Sequence, residues 1–559
     1  MKTTKIVLLL ITAPFLCFGQ WTQVLNDIDG EGVGDRSGVS VSLSGDGSIV
    51  AVGAPHNDGN GSNSGHVRIY QNNGSSWIQL GADIDGEAMN DYSGSSISLS
   101  EDGTTVAIGA NGNDANAPSS GHVRIYKYIN SSWVQLGSDI DGLGTNYYFG
   151  MSVSLSGDGT IVAIGALATG SGSGGKALVY KYIDSSWVQL GLDINGGSST
   201  TWFGEYVRLS KNGDTMLIGG HYNNPYSSDG YDGFVRAYHY NGTSWNQLGD
   251  TINVKTSEEW RPWGMSLSGD GSTIALGSPA GSNIEESDWY SGYVRLFQYN
   301  GTSWEQKGST IFGEDNHDFF GRSTSLSYDG NIVAVTSFTT GGPPWSNAYE
   351  VEMYTYNCAS WEVLGQSIEG SEDPSDRFGY NSISLSSDGT KLAVGATYNG
   401  VNSGRVQVYS HCLETLSVIE DNGVLTANQP GVTYQWYQYP DILLSGETNQ
   451  SFIPSASGDY YVEISTGDCS ALSTCITVEN LSTEDWVFNQ DIKLYPNPAE
   501  NNIHISGLKN NIEYIIIDIF GKEILSGIIS NNNRIVINKL SSGMYFFKMK
   551  NKIIRFVKH

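Results

Sequence analysis

Two acidic stretches are the first candidates for chemistry: Asp27-Ile-Asp29-Gly-Glu31 and Asp83-Ile-Asp85-Gly-Glu87. Carboxylates spaced this way can ligate calcium or act as an acid–base pair. A calcium loop, however, takes six or more oxygens at set positions, and the pattern decays to Asp193-Ile-Asn195-Gly further along. Asp-Gly is foremost a turn former, since glycine accepts left-handed backbone and aspartate bonds its own neighbours. These acids are read as turns, and no metal ligand or cofactor is assigned. His66 and His122 occupy one repeated place before Val-Arg-Ile-Tyr and read as structural, while His221, His239 and His317 stand apart. The sequence has no nucleophile-elbow serine, no His-Glu-x-x-His and no phosphate-binding glycine loop, so no catalytic residue is assigned.

The elements that would carry any site repeat along the chain. Asp-Gly or Asn-Gly turns, mostly after Ser-Leu-Ser, begin at Asp46, Asp102, Asp158, Asn212, Asp270, Asp329 and Asp388. Tryptophans at 21, 77, 133, 187, 245, 304 and 361 run in step with them. Both periods lie between 54 and 59 residues, and a fixed long period marks a repeat architecture. One unit reads Ser152-Val-Ser-Leu-Ser, a Gly-Asp-Gly turn, Thr160-Ile-Val-Ala-Ile-Gly-Ala, a long loop, Ala177-Leu-Val-Tyr-Lys-Tyr, a short turn and Ser186-Trp-Val-Gln-Leu-Gly. That is four β-branched, alternating strands, and such units around an axis form a propeller. The tryptophan series starts before the first turn, and no member follows Asp388. The seventh unit therefore lacks its last strand, which the segment from Trp21 should supply by pairing near 404–410. The expected fold is all-β, with a seven-bladed β-propeller over 20–411 closed by the N-terminal strand.

Phe149-Gly-Met-Ser-Val-Ser-Leu-Ser-Gly-Asp-Gly followed by Val162-Ala-Ile-Gly-Ala resembles the FG-GAP repeat of integrin-α-type propellers. The resemblance implies a seven-bladed ring often used for binding. Family members carry calcium in an Asp-rich loop between the first two strands; here that loop is a bare Asp-Gly turn, so the calcium sites are not carried over.

Composition fits this reading. Among 559 residues are 70 glycines, 32 tyrosines and 14 tryptophans, with only 16% charged, which suits short strands and tight turns. The net charge is −29, and it is uneven: residues 20–490 hold 17 basic against 53 acidic residues, residues 491–559 hold 10 against 5. So acidic a body repels nucleic acid and anionic lipid, and neither is an expected partner.

Export marks both ends. Lys2 and Lys5 precede an apolar run from Ile6 to Phe18, too short to span a bilayer comfortably, so residues 1–19 read as a signal peptide. No other segment is long and apolar enough to be transmembrane. Residues 412–480 read as a small sandwich, with Val424-Leu-Thr-Ala, Thr433-Tyr-Gln-Trp-Tyr and Gly458-Asp-Tyr-Tyr-Val-Glu-Ile as strands; they resemble immunoglobulin-like modules. Residues 481–490 read as linker. In 491–559, Leu494-Tyr-Pro-Asn-Pro, Ile517-Asp-Ile-Phe-Gly-Lys and Leu540-Ser-Ser-Gly-Met-Tyr-Phe-Phe-Lys resemble the type A C-terminal sorting domain of the type IX secretion system. This resemblance implies that the type IX machinery is a partner, and that the chain is secreted to, or released from, the outer surface of a Gram-negative bacterium.

Four cysteines follow the signal peptide, an even number that favours disulfides in an exported chain. Cys469 and Cys475 are close enough for a local clip. Cys358 and Cys412 fall at nearly equivalent points of units six and seven and form a second candidate pair.

A binding site is expected on the face that carries the long loops, because variable loops on a rigid scaffold hold most recognition residues. The tryptophans left over from the repeat there are Trp202, Trp260, Trp289 and Trp345, with Tyr290 beside Trp289. Such rings stack on sugars or anchor a protein, unless each folds back to plug its own loop. The sequence favours a monomeric surface binding or adhesion protein for a glycan or protein ligand; a secreted carbohydrate-active enzyme is the alternative.

Overall fold

The computed structural model describes residues 21–559 apart from 143, 168–173, 198–201, 222–232, 255–262, 282–289, 341–346, 372–375, 399–401, 412–416, 422, 430–431, 441, 467–468, 479–492, 507–510, 519–521, 531–532 and 550–551. The signal-peptide and linker readings lie outside the described residues. The described chain is all-β, and no helix is long and apolar enough to cross a membrane.

Seven sheets of one plan occupy the repeat region. In one of them, Ser152–Leu155, Ile161–Ala166, Lys176–Ile183 and Ser186–Gln189 pair antiparallel in chain order, and Ile194–Asn195 adds to the third strand beyond the fourth. The second strand is buried almost throughout, as the run Ile-Val-Ala-Ile-Gly-Ala requires. Between strands one and two, Ser156 Oγ donates to Asp158 Oδ1 at 2.6 Å and accepts the Ile161 N–H at 2.9 Å. That is why serine, aspartate and glycine recur together. At the start of the inner strand Phe149 is buried, while Gly150 has φ +85° and would press a Cβ to 2.7 Å from the His122 carbonyl oxygen. Only glycine fits that turn.

In the sheet that ends the repeat region, Phe378–Leu385, Lys391–Ala396 and Arg405–His411 come from the chain's own unit, and Trp21–Gln23 adds as the outer strand, Trp21 opposite His411. Ile28–Asp29 then pairs with Val406 and Arg405.

Three sets of bonds join one sheet to the next. Inner-strand serines accept a backbone N–H from the neighbouring sheet, as Ser42 from Leu99, Ser98 from Leu155 and Ser154 from Leu209 at 2.9–3.0 Å. The turns after the inner strands bond to one another through their backbone, and side chains such as Lys211 on Glu101 add to it. Gly45 donates to Glu101, Glu101 to Gly157, Gly157 to Lys211, Lys211 to Gly269, Asp270 to Tyr328, Tyr328 to Ser387, and Ser387 back to Gly45, all at 2.7–3.0 Å. On the outer strands, each repeat tryptophan donates its indole N–H to a carbonyl of the preceding sheet. Trp133 reaches Leu80, Trp187 Leu136, Trp245 Leu190, Trp304 Leu248 and Trp361 Lys307; Trp21 reaches Leu364, and Trp77 reaches Val24.

Two further sheets follow in the same compact unit. Val418–Asp421, Val424–Ala427 and Ser451–Phe452 form one; Ile442–Leu443, Thr433–Gln438, Gly458–Thr466, Cys469–Leu472 and Ile476–Val478 form the other. Trp436 is fully buried between them, 5.4 Å from Phe452, and donates to the Asn449 carbonyl.

The cysteine expectation is corrected here. Cys358 is joined to Cys475, with Cα atoms 5.4 Å apart. This bond excludes both Cys469–Cys475 and Cys358–Cys412, since each of those pairs uses one of its partners. Cys358 lies in the turn between Asn347–Tyr356 and Trp361–Val363, and the sandwich reaches it: burial raises the Tyr356 phenol, and the nearby Asp459 charge adds to that. Cys412 lies outside the described residues.

Residues 479–559 form a second unit. Lys493–Tyr495, Asn502–Ser506 and Arg534–Val536 make one sheet; Glu523–Ile529, Ile512–Ile517, Gly543–Met549 and Lys552–Lys558 make another. Their shared core includes Ile503, Ile516, Phe547 and Phe556. In the Tyr-Pro-Asn-Pro motif, Asn497 accepts the Val557 N–H and donates to the Arg555 carbonyl, clasping the last strand.

Non-reducing peptide mapping should recover Cys358 and Cys475 in one linked peptide. The bond closes a separation of 117 residues, for which the chain-entropy account gives about 5 kcal/mol. Cys475→Ser should therefore lower the melting temperature by several degrees, and an unchanged melting temperature would refute that contribution.

Candidate functional site

The residue two before the inner-strand glycine is Arg36, Tyr92, Tyr148, Trp202, Phe319 and Arg377 in successive described repeats. Arg36, Tyr92, Tyr148, Phe319 and Arg377 all have φ between 45° and 53–55°, a left-handed backbone that costs a non-glycine residue on the order of 1 kcal/mol. A bond to the neighbouring long loop holds four of them. Tyr92 donates its N–H to Asn63, Tyr148 to Ser119, Phe319 to Tyr290 and Arg36 to Asn402. Link segments and long loops thus share one face, and on it every side chain of this series is half-buried.

Several of these side chains form a continuous cation–π ladder. The Arg322 guanidinium lies 3.9 Å from the Trp263 ring centre and 4.0 Å from that of Tyr380. Arg377 stands 4.2 Å and Arg36 4.8 Å from the ring centre of Tyr398. Arg36 then meets His56 at 3.2 Å, and His56 packs edge-on to Tyr92. Such contacts hold arginines in fixed poses.

Of the residues singled out in the sequence, Trp202 packs 5.1 Å from His221, whose Nδ1 meets buried Glu205 at 3.0 Å. Tyr290 packs on His317 and Phe319 and lends its carbonyl to the Phe319 N–H. Trp260, Trp289 and Trp345 lie outside the described residues. The arginine–aromatic ladder was not read from the sequence; its partial signal is that arginine or an aromatic fills this repeat position in all units but the fifth, which has Pro262.

The repeated acids do not stand alone either. Glu31, His66 and Asp83 bring ligand atoms within 4.8 Å of one another, and so do Glu87, His122 and Asp139. Burial, with Arg124 adding to it, holds the His122 imidazole down to about 4, so it is neutral at pH 7. A different acidic group surrounds Glu352. Burial pushes its carboxyl up to about 7, against the hydrogen bond from Tyr354, and Glu350, Asp318 and Glu314 add like charge. Glu352 is only 8% exposed, which closes it to a substrate.

Residues 21–70 match the family model for the FG-GAP repeat, and residues 493–559 match that for the secretion system C-terminal sorting domain. The chain thus carries FG-GAP repeat sequence and a type IX sorting tail. The tail implies passage through the type IX machinery and attachment at the cell surface. No curated protein matches the chain significantly. Among solved structures, the propeller protein is similar to Kuenenia stuttgartiensis hydrazine synthase at 13% identity over 70% of this chain and 98% of that one, TM-score 0.44. It is similar to PorZ, a surface component of the type IX secretion system of Porphyromonas gingivalis, at 12% identity over 95% of this chain and 60% of that one, TM-score 0.33. The β-propeller domain of the Pyrococcus furiosus trilobed protease matches at 10% identity over 68% and 91%, TM-score 0.37.

Glu352 predicts a pH dependence for the propeller protein. Its folded carboxyl keeps a proton to higher pH than the ordinary 4.5, so the stability it contributes is full below about pH 4.5 and lost as pH rises through about 7. Unfolding free energies measured across this window should fall more steeply for the wild type than for Glu352→Gln, by on the order of 3 kcal/mol in total. Parallel curves would refute it.

Proposed function

We propose that this protein is a surface-displayed binding or adhesion module whose long-loop face captures an extracellular glycan or protein. In this reading residues 20–411 form a seven-bladed ring closed by the N-terminal strand, residues 412–480 an immunoglobulin-like spacer, and residues 491–559 the sorting signal. A single observation carries the binding role: strained arginine and aromatic residues recur at one repeat position, on the face that also bears the long loops. Backbone strain held at equivalent points is common where a surface must present side chains in a set pose. Arginine and half-buried aromatic rings are also the residue types that dominate recognition energy. Trp202, Tyr290 and the loop residues Trp260, Trp289 and Trp345 would extend the same surface. A carbohydrate-active enzyme is less favoured, because the carboxyl with the most strongly raised proton affinity, Glu352, is sealed beneath Tyr354.

Glycan-array and protein pull-down screens on the full chain test this reading. Replacing Trp260, Trp289 and Trp345 together by Ala, or Arg377 by Ala, should abolish capture and leave the melting temperature nearly unchanged. Capture that survives both variants would end the proposal.

A further inference from the structure

One register position tells a consistent story around the sheets. The third-strand residue paired opposite or beside the Ile-Asp strand is Arg405, His66, His122, Lys176, Phe234, Tyr293 or Glu350. The residue just before that two- or three-residue strand is Asp27, Asp83, Asp139, Asp193, Thr251, Thr310 or Ser367, in the same order. Aspartate occurs only where the third-strand residue is basic, and a hydroxyl residue occurs in the other three. The aspartate is thus built to face a positive centre. Its Oδ1 is already taken, since Gln23, Gln79, Gln135 and Gln189 each donate to it at 2.6–2.8 Å. Oδ2 is the oxygen turned to the third-strand residue at this register.

Two sheets supply that centre covalently. The Lys176 ammonium sits 2.9 Å from Asp193 Oδ2, and the Arg405 guanidinium 3.1 Å from Asp27 Oδ2. The two histidine sheets differ in three respects. His66 and His122 stand back, with Nδ1 3.7 Å from Asp83 Oδ2 and 3.8 Å from Asp139 Oδ2. Such gaps are too long for hydrogen bonds. A second carboxylate joins each: Glu87 Oε2 lies 3.8 Å from His122 Nδ1, and Glu31 completes the other cluster within 4.8 Å. Finally, His122 is 1% exposed, yet its Nδ1 has no hydrogen-bond partner. A buried nitrogen left unbonded between two carboxylates costs stability unless something fills the gap.

We propose that Glu87–His122–Asp139 and Glu31–His66–Asp83 are a pair of equivalent divalent transition-metal sites of the zinc type, one in each of two successive sheets. One imidazole nitrogen and two carboxylate oxygens are a suitable donor set for zinc with a fourth place left to water. Bonds of about 2 Å in tetrahedral array place ligand atoms roughly 3.3 Å apart. The Asp83, Asp139 and Glu87 oxygens, 3.7–3.8 Å from the histidine nitrogens, need close on them by only a few tenths of an ångström. The outer oxygens are already braced: Gln79 and Gln135 hold the aspartates, and Arg68 and Arg124 meet Glu31 Oε1 at 3.1 Å and Glu87 Oε1 at 3.5 Å. Those arginines are themselves fixed on the Asp29 and Asp85 carbonyls. Ligands braced by such outer contacts bind metal more tightly. The glutamates and aspartates are partly exposed, at 53% and 29% in one cluster and 46% and 31% in the other, so an ion can enter from solvent. Three protein ligands are too few for calcium, which takes six to eight oxygens.

The full chain, purified without a histidine tag and stripped with a chelator, should take up about two equivalents of zinc when titrated calorimetrically with zinc chloride, one for each cluster. Calcium chloride should give no saturable heat. Asp139→Asn should remove one equivalent, and Asp83→Asn with Asp139→Asn should remove both. These aspartates are partly exposed, so the variants keep the wild-type circular dichroism spectrum. Gln135→Ala leaves every ligand in place and should weaken one of the two equivalents by about tenfold. Absence of zinc uptake by the wild type, uptake unchanged in the double aspartate variant, or calcium binding in preference to zinc would each overturn the proposal.

Discussion

The indole N–H of the repeat tryptophan is the contact on which the remainder of this propeller hangs. Each sheet is a small ribbon of four main strands that buries its faces only against its neighbouring sheets. The tryptophan crosses the gap between neighbouring sheets, burying one side of its ring and donating to a backbone carbonyl there. A tryptophan is suited to this because it joins a broad apolar face to a single directional donor. A glycine follows most of the receiving carbonyls and keeps the approach open: a Cβ on Gly81, Gly137 or Gly191 would lie about 3 Å from the incoming indole ring. Trp21 makes the same contact to Leu364, although it stands at the opposite end of the repeat region in sequence. The N-terminal strand is therefore held by side chain as well as by ladder.

The two faces divide the work. On one, short Asp-Gly turns bond to each other in a backbone circuit while their serine and aspartate side chains shape each turn, which leaves their lengths little room to vary. On the other, links and long loops bond in pairs, and their side chains carry arginine, tyrosine and tryptophan. Variation in loop length is tolerated on that face because no closed circuit of turns depends on it.

Much of this was legible from the amino acids. Trp187 and Asp158 announce their strands because each works through contacts that recur at a fixed spacing, so the pattern survives changes elsewhere. Ser154 was visible too, but only as part of its strand; its bond to Leu209 of the next sheet was not. The cysteines misled because pairing depends on where the sandwich comes to rest against the sixth sheet, and nothing near Cys358 or Cys475 in sequence encodes that. The ladder of Arg36, Arg322 and Arg377 escaped notice because residue type varies at its positions while backbone conformation does not. His66 and His122 looked structural one at a time; their meaning depends on Asp83 and Asp139, which only strand register brings opposite.

The bond between Cys358 and Cys475 also sets a load path. The sorting tail lies beyond residue 478, so a pull applied through it enters the propeller unit close to Cys475. From there tension has two routes: along the backbone through residues 474 to 359, or directly across the sulfurs into the sixth sheet. The second route is by far the shorter and does not stretch. The final repeat sheet, together with the Trp21 strand zipped to it, is thereby shielded from traction. A cell-surface protein tugged by flow would bear shear on a covalent clamp while its seam stayed slack.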